Sequence, residues 1–159
     1  MLANQIQHLT LDGLHQIQAR LDYLRNTRRS EIAARLHQAV EDLNDLVENA
    51  EYTDAKYEQA FVEGEIRRLE TILSDVEIID NTSPPDIVGL GDKVKVQQQG
   101  SKKTEIFHIV GVAESDPSDG RISNESPLGS ALLGHHIGER VIVDAPDGNI
   151  VFTIKAILI

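Results

Sequence analysis

Acidic side chains are concentrated in one short segment of this 159-residue chain. Between Leu36 and Ala55 there are six carboxylates and no lysine or arginine: Glu41, Asp42, Asp45, Glu48, Glu51 and Asp54. Carboxylate oxygens are ligands that Mg²⁺ prefers, and this ion usually keeps waters and takes further ligands from a substrate or partner. The same charges could instead form an acidic plug that mimics phosphate. Because clustered like charges repel one another and add nothing to folding, we infer that the cluster has a function.

A basic segment directly precedes the acidic one. Against two acidic residues, Asp22 and Glu31, the stretch from 20 to 35 carries five arginines: Arg20, Arg25, Arg28, Arg29 and Arg35. Either segment alone is typical of a solvated helix face. Together they predict a helical element with a basic shaft and an acidic tip.

Apolar residues in the first half recur at intervals of three and four, which is typical of amphipathic helices. One stripe contains Leu14, Ile17, Leu21, Leu24, Ile32, Leu36, Ala39 and Leu43, and its phase shifts through Arg28 as in a coiled-coil stutter. A second stripe contains Ala55, Val62, Ile66, Leu69 and Leu73. The pattern predicts two antiparallel helices that bury these stripes on each other. The first, capped by Thr10 and ending at Leu43, would be roughly 50 Å long.

Glycine and proline are concentrated in the second half of the chain, where nine of the 11 glycines follow Pro84-Pro85. Both residues interrupt helices and favour turns. Strand-like runs cover Lys93–Gln97, Glu105–Val112, Arg140–Asp144 and Ile150–Ile157. The last two flank a turn centred on Asp147-Gly148 and are expected to pair as a hairpin. Ser126-Pro127 predicts the start of a short helix, which Gly134 ends.

These patterns predict an α+β protein. An N-terminal antiparallel coiled-coil hairpin with an acidic tip would occupy residues 1–79, and a small, mostly antiparallel α+β domain would occupy residues 88–159. Residues 80–87 would form the linker between them, because the polar and proline-rich run through Pro84-Pro85 cannot continue a helix.

The composition excludes several classes of protein. A net charge of −11 argues against a protein that coats bare nucleic acid. The absence of cysteine excludes disulfides, thiolate zinc sites and cysteine nucleophiles. No signal peptide and no apolar run of about 18 residues is present, so we expect a soluble, cytoplasmic protein that does not enter membranes. Adjacent His135 and His136 cannot converge on one ion from a single helix face, and we expect them on a surface turn.

Four segments of the chain resemble one known family. Asn44–Tyr52 matches seven of the nine residues in the tip signature of the bacterial Gre transcript-cleavage factors, G-D-L-x-E-N-A-E-Y. Arg29, Glu31 and Ile32 resemble the R-P-E-I segment of that family, and Phe61–Ile66 resembles its F-x-E-G-R-I segment. Ser126–Gly134 resembles its S-P-x-x-x-x-L-x-G helix. The likeness spans nearly the whole chain.

The resemblance implies a transcription elongation factor that is not itself an enzyme. In this family an FK506-binding-protein-like C-terminal domain docks at the rim of the secondary channel of bacterial RNA polymerase, and the coiled coil reaches the active site. Asp45 and Glu48 would then stabilise a catalytic Mg²⁺ and the attacking water while the polymerase cleaves backtracked RNA near its 3′ end. Mg²⁺ would be shared with the polymerase, and no cofactor would be stably bound.

The resemblance also implies roles for other residues. Phosphate contacts that guide the extruded RNA would come from Arg25, Arg28, Arg29 and Arg35. The tip would be shaped by Asn44, Asn49, Glu51 and Tyr52. Docking to polymerase would involve Ser126, Pro127 and Gly134. The partners would be RNA polymerase and the 3′ end of the nascent RNA, and the protein would be monomeric.

The chain departs from the family pattern near the tip. Asn44 replaces the Gly of the family signature, and Val47 stands where the family usually has a polar residue. Glu41 and Glu65 each stand where the family has Arg. The distance from Glu31 to Asp45 is one residue longer than the family spacing, which predicts a local bulge in the first helix. Asp45 and Glu48 are retained. Two alternatives therefore stay open: a homologue that occupies the same channel and inhibits catalysis through its acidic tip, and a structural coiled-coil adaptor.

Overall fold

A computed structural model of the chain describes residues 6–41, 50–80 and 83–158. It divides into two compact units. The helical unit is Leu14–Asp75, and the sheet unit combines Met1–Gly13 with Val76–Ile159. These boundaries differ from the predicted ones at 79/80 and 87/88, because a short strand before the first helix pairs with a strand directly after the last residue of the helical unit. The predicted α+β class is confirmed.

The helical unit consists of a long interrupted helix and a second continuous one. The first comprises α1 (Leu11–Tyr23), a π-helical segment (Leu24–Arg28) and α2 (Arg29–Glu41), and the second is α3 (Ala50–Ser74). A π-helical turn contains one more residue than an α-helical turn. It therefore accounts for the phase shift that the apolar stripe shows through Arg28. The bulge predicted between Glu31 and Asp45 is absent from α2, and its described counterpart lies upstream of Glu31.

The two helices bury the predicted apolar stripes on each other. The core of the helical unit contains Leu21, Leu24, Ile32, Val62, Ile66 and Leu69. Ile17, Leu36 and Leu73 are partly buried against this core. The chain enters α1 through the predicted cap, in which the N–H of Gly13 donates to Oγ1 of Thr10 at 3.0 Å. Leu43, the predicted end of the first helix, lies outside the described residues.

The sheet unit is built on five strands in the order β5-β4-β3-β7-β6. The strands are β3 (Lys93–Gln98), β4 (Thr104–Val110), β5 (Arg121–Ser123), β6 (Arg140–Ala145) and β7 (Gly148–Leu158). Antiparallel pairing joins β4 to β3, β3 to β7 and β7 to β6, whereas β5 runs parallel to β4. The sheet is therefore mostly antiparallel, as predicted, with a parallel edge that the sequence did not indicate.

The predicted β6–β7 hairpin is confirmed, but its turn differs in detail. Ala145 pairs with Gly148, so Pro146 and Asp147 are the two loop residues, and the Asp-Gly pair is not at the centre. Gly148 has a φ of 119°, a conformation that suits glycine. Strands β1 (Gln7–Leu9) and β2 (Val76–Ile78), which pair in parallel, were not predicted.

Helix α4 (Pro127–Leu132) contributes Leu132 to the core of the sheet unit. The other buried members are Val88, Val94, Val96, Ile109, Ile122, Val141, Val143, Phe152 and Ile154. Alternate residues of β3 and β6 are buried, as expected for strands with one face in the core. None of the helices that the structure describes is long and apolar enough to cross a membrane.

The start of α1 is held to the sheet unit by a buried carboxylate. Glu114 is 7% exposed and accepts hydrogen bonds from both the N–H and Oγ1 of Thr10, the latter at 2.7 Å. Beside it, a Cβ built on Gly111 would lie 1.8 Å from the carbonyl oxygen of His8. The chain therefore requires glycine at position 111, because a methyl group there would push β1 away.

We predict that Gly111→Ala destabilises the protein and that Gly64→Ala does not. The Gly111 methyl group would overlap a backbone atom, and we expect a loss of about 1–3 kcal/mol. Gly64 lies inside α3, and a methyl group there has no atom within 4 Å, so alanine should stabilise by about 0.5–1 kcal/mol. Urea unfolding measures both. Equal stabilities for the two variants would contradict the close packing of β1 at Gly111.

Candidate functional site

The two carboxylates predicted to stabilise a catalytic Mg²⁺ belong to the segment of sequence between the two helices. Asp45 and Glu48, with Asn44 and Asn49, lie outside the described residues, so their roles stay predictions. The described chain reaches Glu41 at the end of α2 and resumes at Ala50, the first residue of α3. In the sequence, the predicted tip residues therefore lie between the end of α2 and the start of α3.

Two of the predicted tip residues are described, and both lie in α3. Glu51 is exposed in the first turn, where the N-terminal end of the helix dipole favours a negative charge. Tyr52 is half-buried, and Nζ of Lys56 lies 5.9 Å from the centroid of its ring. Tyr52 also lines a crevice of about 590 Å³ between α2 and α3, together with Leu36 and Val40. The predicted roles of Glu51 and Tyr52 in shaping the tip stay predictions.

Each arginine of the predicted basic shaft is paired with a glutamate. Arg29 forms a two-pronged pair with Glu63, in which both N···O distances are 2.7 Å. Nη1 of Arg35 donates to Glu58 at 2.5 Å. The other pairs are Arg20 with Glu65, Arg25 with Glu70, and Arg28 with both Glu58 and Glu31. Apart from the Arg28–Glu31 pair, all of them join the first helix to α3.

These pairs form a ladder between two antiparallel helices. Arg35, near the end of α2, pairs with Glu58, whereas Arg29 pairs with Glu63 and Arg25 with Glu70, so these three partners run in opposite directions along the two helices. The Arg20–Glu65 pair departs from this order. The basic shaft was predicted from the arginines and the acids of their own segment alone. The missed signal was the set of glutamates at 58, 63, 65 and 70 on the facing helix.

The ladder changes the charge that the first helix presents. The hydrogen bond from Arg29 lowers the pKa of the Glu63 carboxyl, and the same bond raises the pKa of Arg29. Hydrogen bonds to Glu31 and Glu58 likewise raise the pKa of Arg28. Arg29 and Glu63 are therefore both charged near neutral pH, and the ion pairs along the row place a carboxylate beside each arginine. The predicted RNA contacts of this row stay a prediction.

The three predicted docking residues surround the short helix α4. Oγ of Ser126 accepts a hydrogen bond from the N–H of Gly129 at 3.1 Å and donates to the carbonyl of Ser123 at 2.6 Å. Pro127 is the first residue of α4, and Gly134 follows its end with a φ of 77°. Each residue type is thus explained by the local fold. Pro127 and Gly134 are exposed, and the docking role stays a prediction.

Metal-ligand clusters are absent from the described ranges 6–41, 50–80 and 83–158, where no three His, Asp or Glu side chains group as ligands. His135 and His136 lie on an exposed turn, as expected. Nδ1 of His135 lies 2.7 Å from Oε2 of Glu139, and the backbone N–H of His136 donates to the same oxygen at 3.0 Å. These contacts lower the pKa of Glu139. The adjacent histidines therefore belong to a local hydrogen-bonded turn.

Comparison with protein families finds matches over most of the chain. Residues 7–78 match the model described as the N-terminal part of a transcription elongation factor. Residues 83–159 match the model described as the C-terminal part of the transcription elongation factors GreA/GreB. The two matches correspond to the helical hairpin with its flanking strands and to the sheet region.

Individual relatives agree with the family models. The chain is 42% identical to transcription elongation factor GreA of Acetivibrio thermocellus over 158 residues, which cover 99% of both chains. It is 41% identical to GreA of Clostridium acetobutylicum over 150 residues, 94% of both chains. Among solved structures, GreA factor homolog 1 of Thermus thermophilus is 31% identical, with a TM-score of 0.46 and coverage of 97% of this chain and 99% of that one.

We predict that Glu63→Gln removes a pH-dependent part of the stability. A carboxyl group whose pKa is lower in the folded chain stabilises it above the unfolded value near 4.5, and this stabilisation is lost as the pH falls through the lower folded value. Above pH 4.5, Glu63→Gln should therefore unfold at a lower urea concentration than the unsubstituted chain. The difference should shrink as the pH is taken below 4.5.

The matched control is Asp54→Asn, which removes an exposed carboxylate from the same helix. Asp54 has no ion pair among the residues that the structure describes. Its substitution should leave the pH dependence unchanged. A difference between Glu63→Gln and the unsubstituted chain that stays constant with pH would contradict the pairing of Glu63 with Arg29.

Proposed function

The chain belongs to the GreA/GreB family of transcription elongation factors, and we propose that it binds bacterial RNA polymerase and stimulates cleavage of backtracked RNA. The helical unit would enter the secondary channel of the polymerase from the cytoplasm. The polymerase would break the phosphodiester bond, and this protein would act as an accessory factor without an active site of its own.

One observation carries the proposal. Two long helices pack along a common apolar seam, and the segment between their facing ends, residues 42–49, contains Asp45 and Glu48 within the tip signature. Carboxylates between the ends of a helical hairpin are suited to reach a site on another molecule. The residues that follow directly, Glu51 and Tyr52, continue the signature into the first turn of α3.

The chemistry of the tip follows from its donor set. Asp and Glu carboxylates suit Mg²⁺, which prefers oxygen ligands, and two of them leave most of the coordination shell to the polymerase, to RNA and to water. Asp45 and Glu48 would hold the ion and orient the attacking water by accepting its hydrogen bonds. The ion, when bound, would stabilise the negative charge that develops on the phosphate.

The remaining predicted residues enter the proposal with narrower roles. Ser126, Pro127 and Gly134 would present α4 to the rim of the channel, because Pro127 and Gly134 are exposed at its two ends. The side chains of Arg25 and Arg29 are 43% and 47% exposed while paired. Since a guanidinium group carries five N–H donors, each arginine can bind a phosphate without leaving its glutamate. The side chain of Arg35 is 41% exposed and can act in the same way, whereas Arg28, which pairs with both Glu31 and Glu58, would contribute less.

An inhibitory role is the second candidate, and one observation favours it. Glu41, at the position where the family carries Arg, is exposed at the end of α2 and lies 3.4 Å from Nδ1 of His37. Neither Glu41 nor Glu51 pairs with a Lys or Arg of the described chain. A more negative tip would hold Mg²⁺ or obstruct the nucleotide path without promoting cleavage. The sign of the effect on nucleotide addition separates the two roles.

We predict that the intact protein shortens the RNA in backtracked polymerase complexes. Asp45→Ala and Glu48→Ala should each reduce the cleavage rate by about a hundredfold, because each removes a group that stabilises the transition state. Gel analysis of end-labelled RNA measures the rate, and retention of the variants on polymerase shows that binding is intact.

The charge-matched control is Asp54→Ala, which removes a nearby carboxylate outside the pair. It should cleave at the rate of the unsubstituted protein. Unchanged cleavage in the Asp45→Ala/Glu48→Ala double variant would refute the assigned roles. Slower nucleotide addition by the unsubstituted protein, without any cleavage, would support the inhibitory role in its place.

A further inference from the structure

Two aromatic side chains on the outward face of α3 are exposed to solvent. Tyr57 and Phe61 are 73% and 72% exposed, the highest values among the large apolar residues that the structure describes. Residues 57, 61, 64 and 68 are spaced by four, three and four, so they lie on one face of the helix. Because the buried residues of α3 occupy the opposite face, we call Tyr57, Phe61, Gly64 and Arg68 the outer stripe.

The charges around the outer stripe favour an anionic ligand. Beyond the first turn, α3 has four glutamates, and the ion-pair ladder compensates every one of them: Glu58, Glu63, Glu65 and Glu70. By contrast, within ranges 6–41, 50–80 and 83–158 no carboxylate lies at ion-pair distance from Arg68. Lys56 and Arg67 of α3 likewise form no ion pair within these ranges, whereas Asp54 is an unpaired carboxylate one turn from Tyr57. The uncompensated charge of the stripe is therefore positive, although the chain as a whole is acidic.

We propose that the outer stripe is a binding site for single-stranded RNA. The rings of Tyr57 and Phe61 would each stack on a base, and the guanidinium of Arg68 would contact a phosphate. Their positions along α3 differ by about 6 Å, since four residues rise about 1.5 Å each. A Cβ built on Gly64 has no atom within 4 Å, so the helix surface beside Phe61 is open to close approach of a sugar or base.

A protein partner fits this face less well than RNA. A second helix that docks on α3 needs apolar residues along several turns, but the stripe continues from Phe61 to Gly64 and Arg68. Two aromatic side chains bury about 150–250 Å² each, which is well below the roughly 1,000 Å² of a stable protein interface. Sequence-tolerant stacking beside one cation requires only this small area.

The proposal rests on the proposed function for the source of the RNA, which would be the strand extruded from a backtracked polymerase. The stripe has a polarity that suits such a strand. Asp54, one turn closer to the tip than Tyr57, is exposed and would repel phosphate, whereas Arg68 at the other end would attract it. The backbone of the RNA would therefore be held at the Arg68 end, and the bases would lie towards the tip.

The test measures binding of a fluorescent oligouridylate to the full chain by anisotropy, without polymerase. Tyr57→Ala and Phe61→Ala should each weaken binding about tenfold. Arg68→Gln should make the dependence of log affinity on log salt concentration shallower by about 0.7. The control is Tyr23→Ala, which removes an exposed tyrosine from α1, outside the stripe, and should leave the affinity unchanged. Tyr57→Ala, Phe61→Ala and Arg68→Gln should melt at the same temperature as the unsubstituted chain, since these three side chains face solvent.

Several results would overturn the proposal. One is the absence of oligouridylate binding by the unsubstituted chain. Another is a Tyr57→Ala/Phe61→Ala variant that binds the oligouridylate as tightly as the unsubstituted chain. Loss of polymerase binding in that double variant with unchanged RNA affinity would assign the stripe to a protein contact. Asp45→Ala/Glu48→Ala should retain RNA binding. Failure of the cleavage proposal, which that variant tests on polymerase, is therefore distinguishable from failure of the RNA site.

Discussion

The helical unit depends on one apolar seam, in which Leu24, Ile32 and Ile66 are withdrawn from water between the first helix and α3. Most of the stability of helices in proteins comes from the tertiary packing of their apolar faces. Each fully buried aliphatic side chain stabilises the seam by about 1.5–3 kcal/mol, whereas an exposed ion pair contributes about 0–1 kcal/mol. The seam therefore holds the helices together, and the arginine–glutamate ladder chiefly sets their charge and register.

The seam also decides which charges remain available for function. Because α3 packs against the first helix with its glutamates beside the arginines, the two rows compensate each other. Among the charges of α3 that form no ion pair within the described ranges are Asp54 near the tip and Arg68 on the outer stripe. In a chain with net charge −11, the proposed Mg²⁺ contacts and the proposed RNA face would therefore use different parts of the helical region.

The parts predicted from sequence are those that local pattern encodes. The apolar repeat gave both helices and even the phase shift at Leu24–Arg28, because helical periodicity is a property of neighbouring residues. Long strands with a turn between them, such as β6 and β7, were also predicted. Strands β1, β2 and β5 were missed, because three residues are too short to show alternation and their partners are distant in the chain. Asp45 and Glu48 were assigned from a family signature, and their geometry lies outside the described residues.

The sequence by itself determined the two amphipathic helices, the cap at Thr10, the turn at α4 and the acidic segment, since each follows from residues close together in the chain. Only the tertiary structure decided that the arginine row is paired across the hairpin, that Glu114 holds the start of α1, and that Tyr57 and Phe61 face solvent. The physical reason is that ion pairs and burial depend on which distant residues meet. Which residues meet is decided by the register in which the two helices pack.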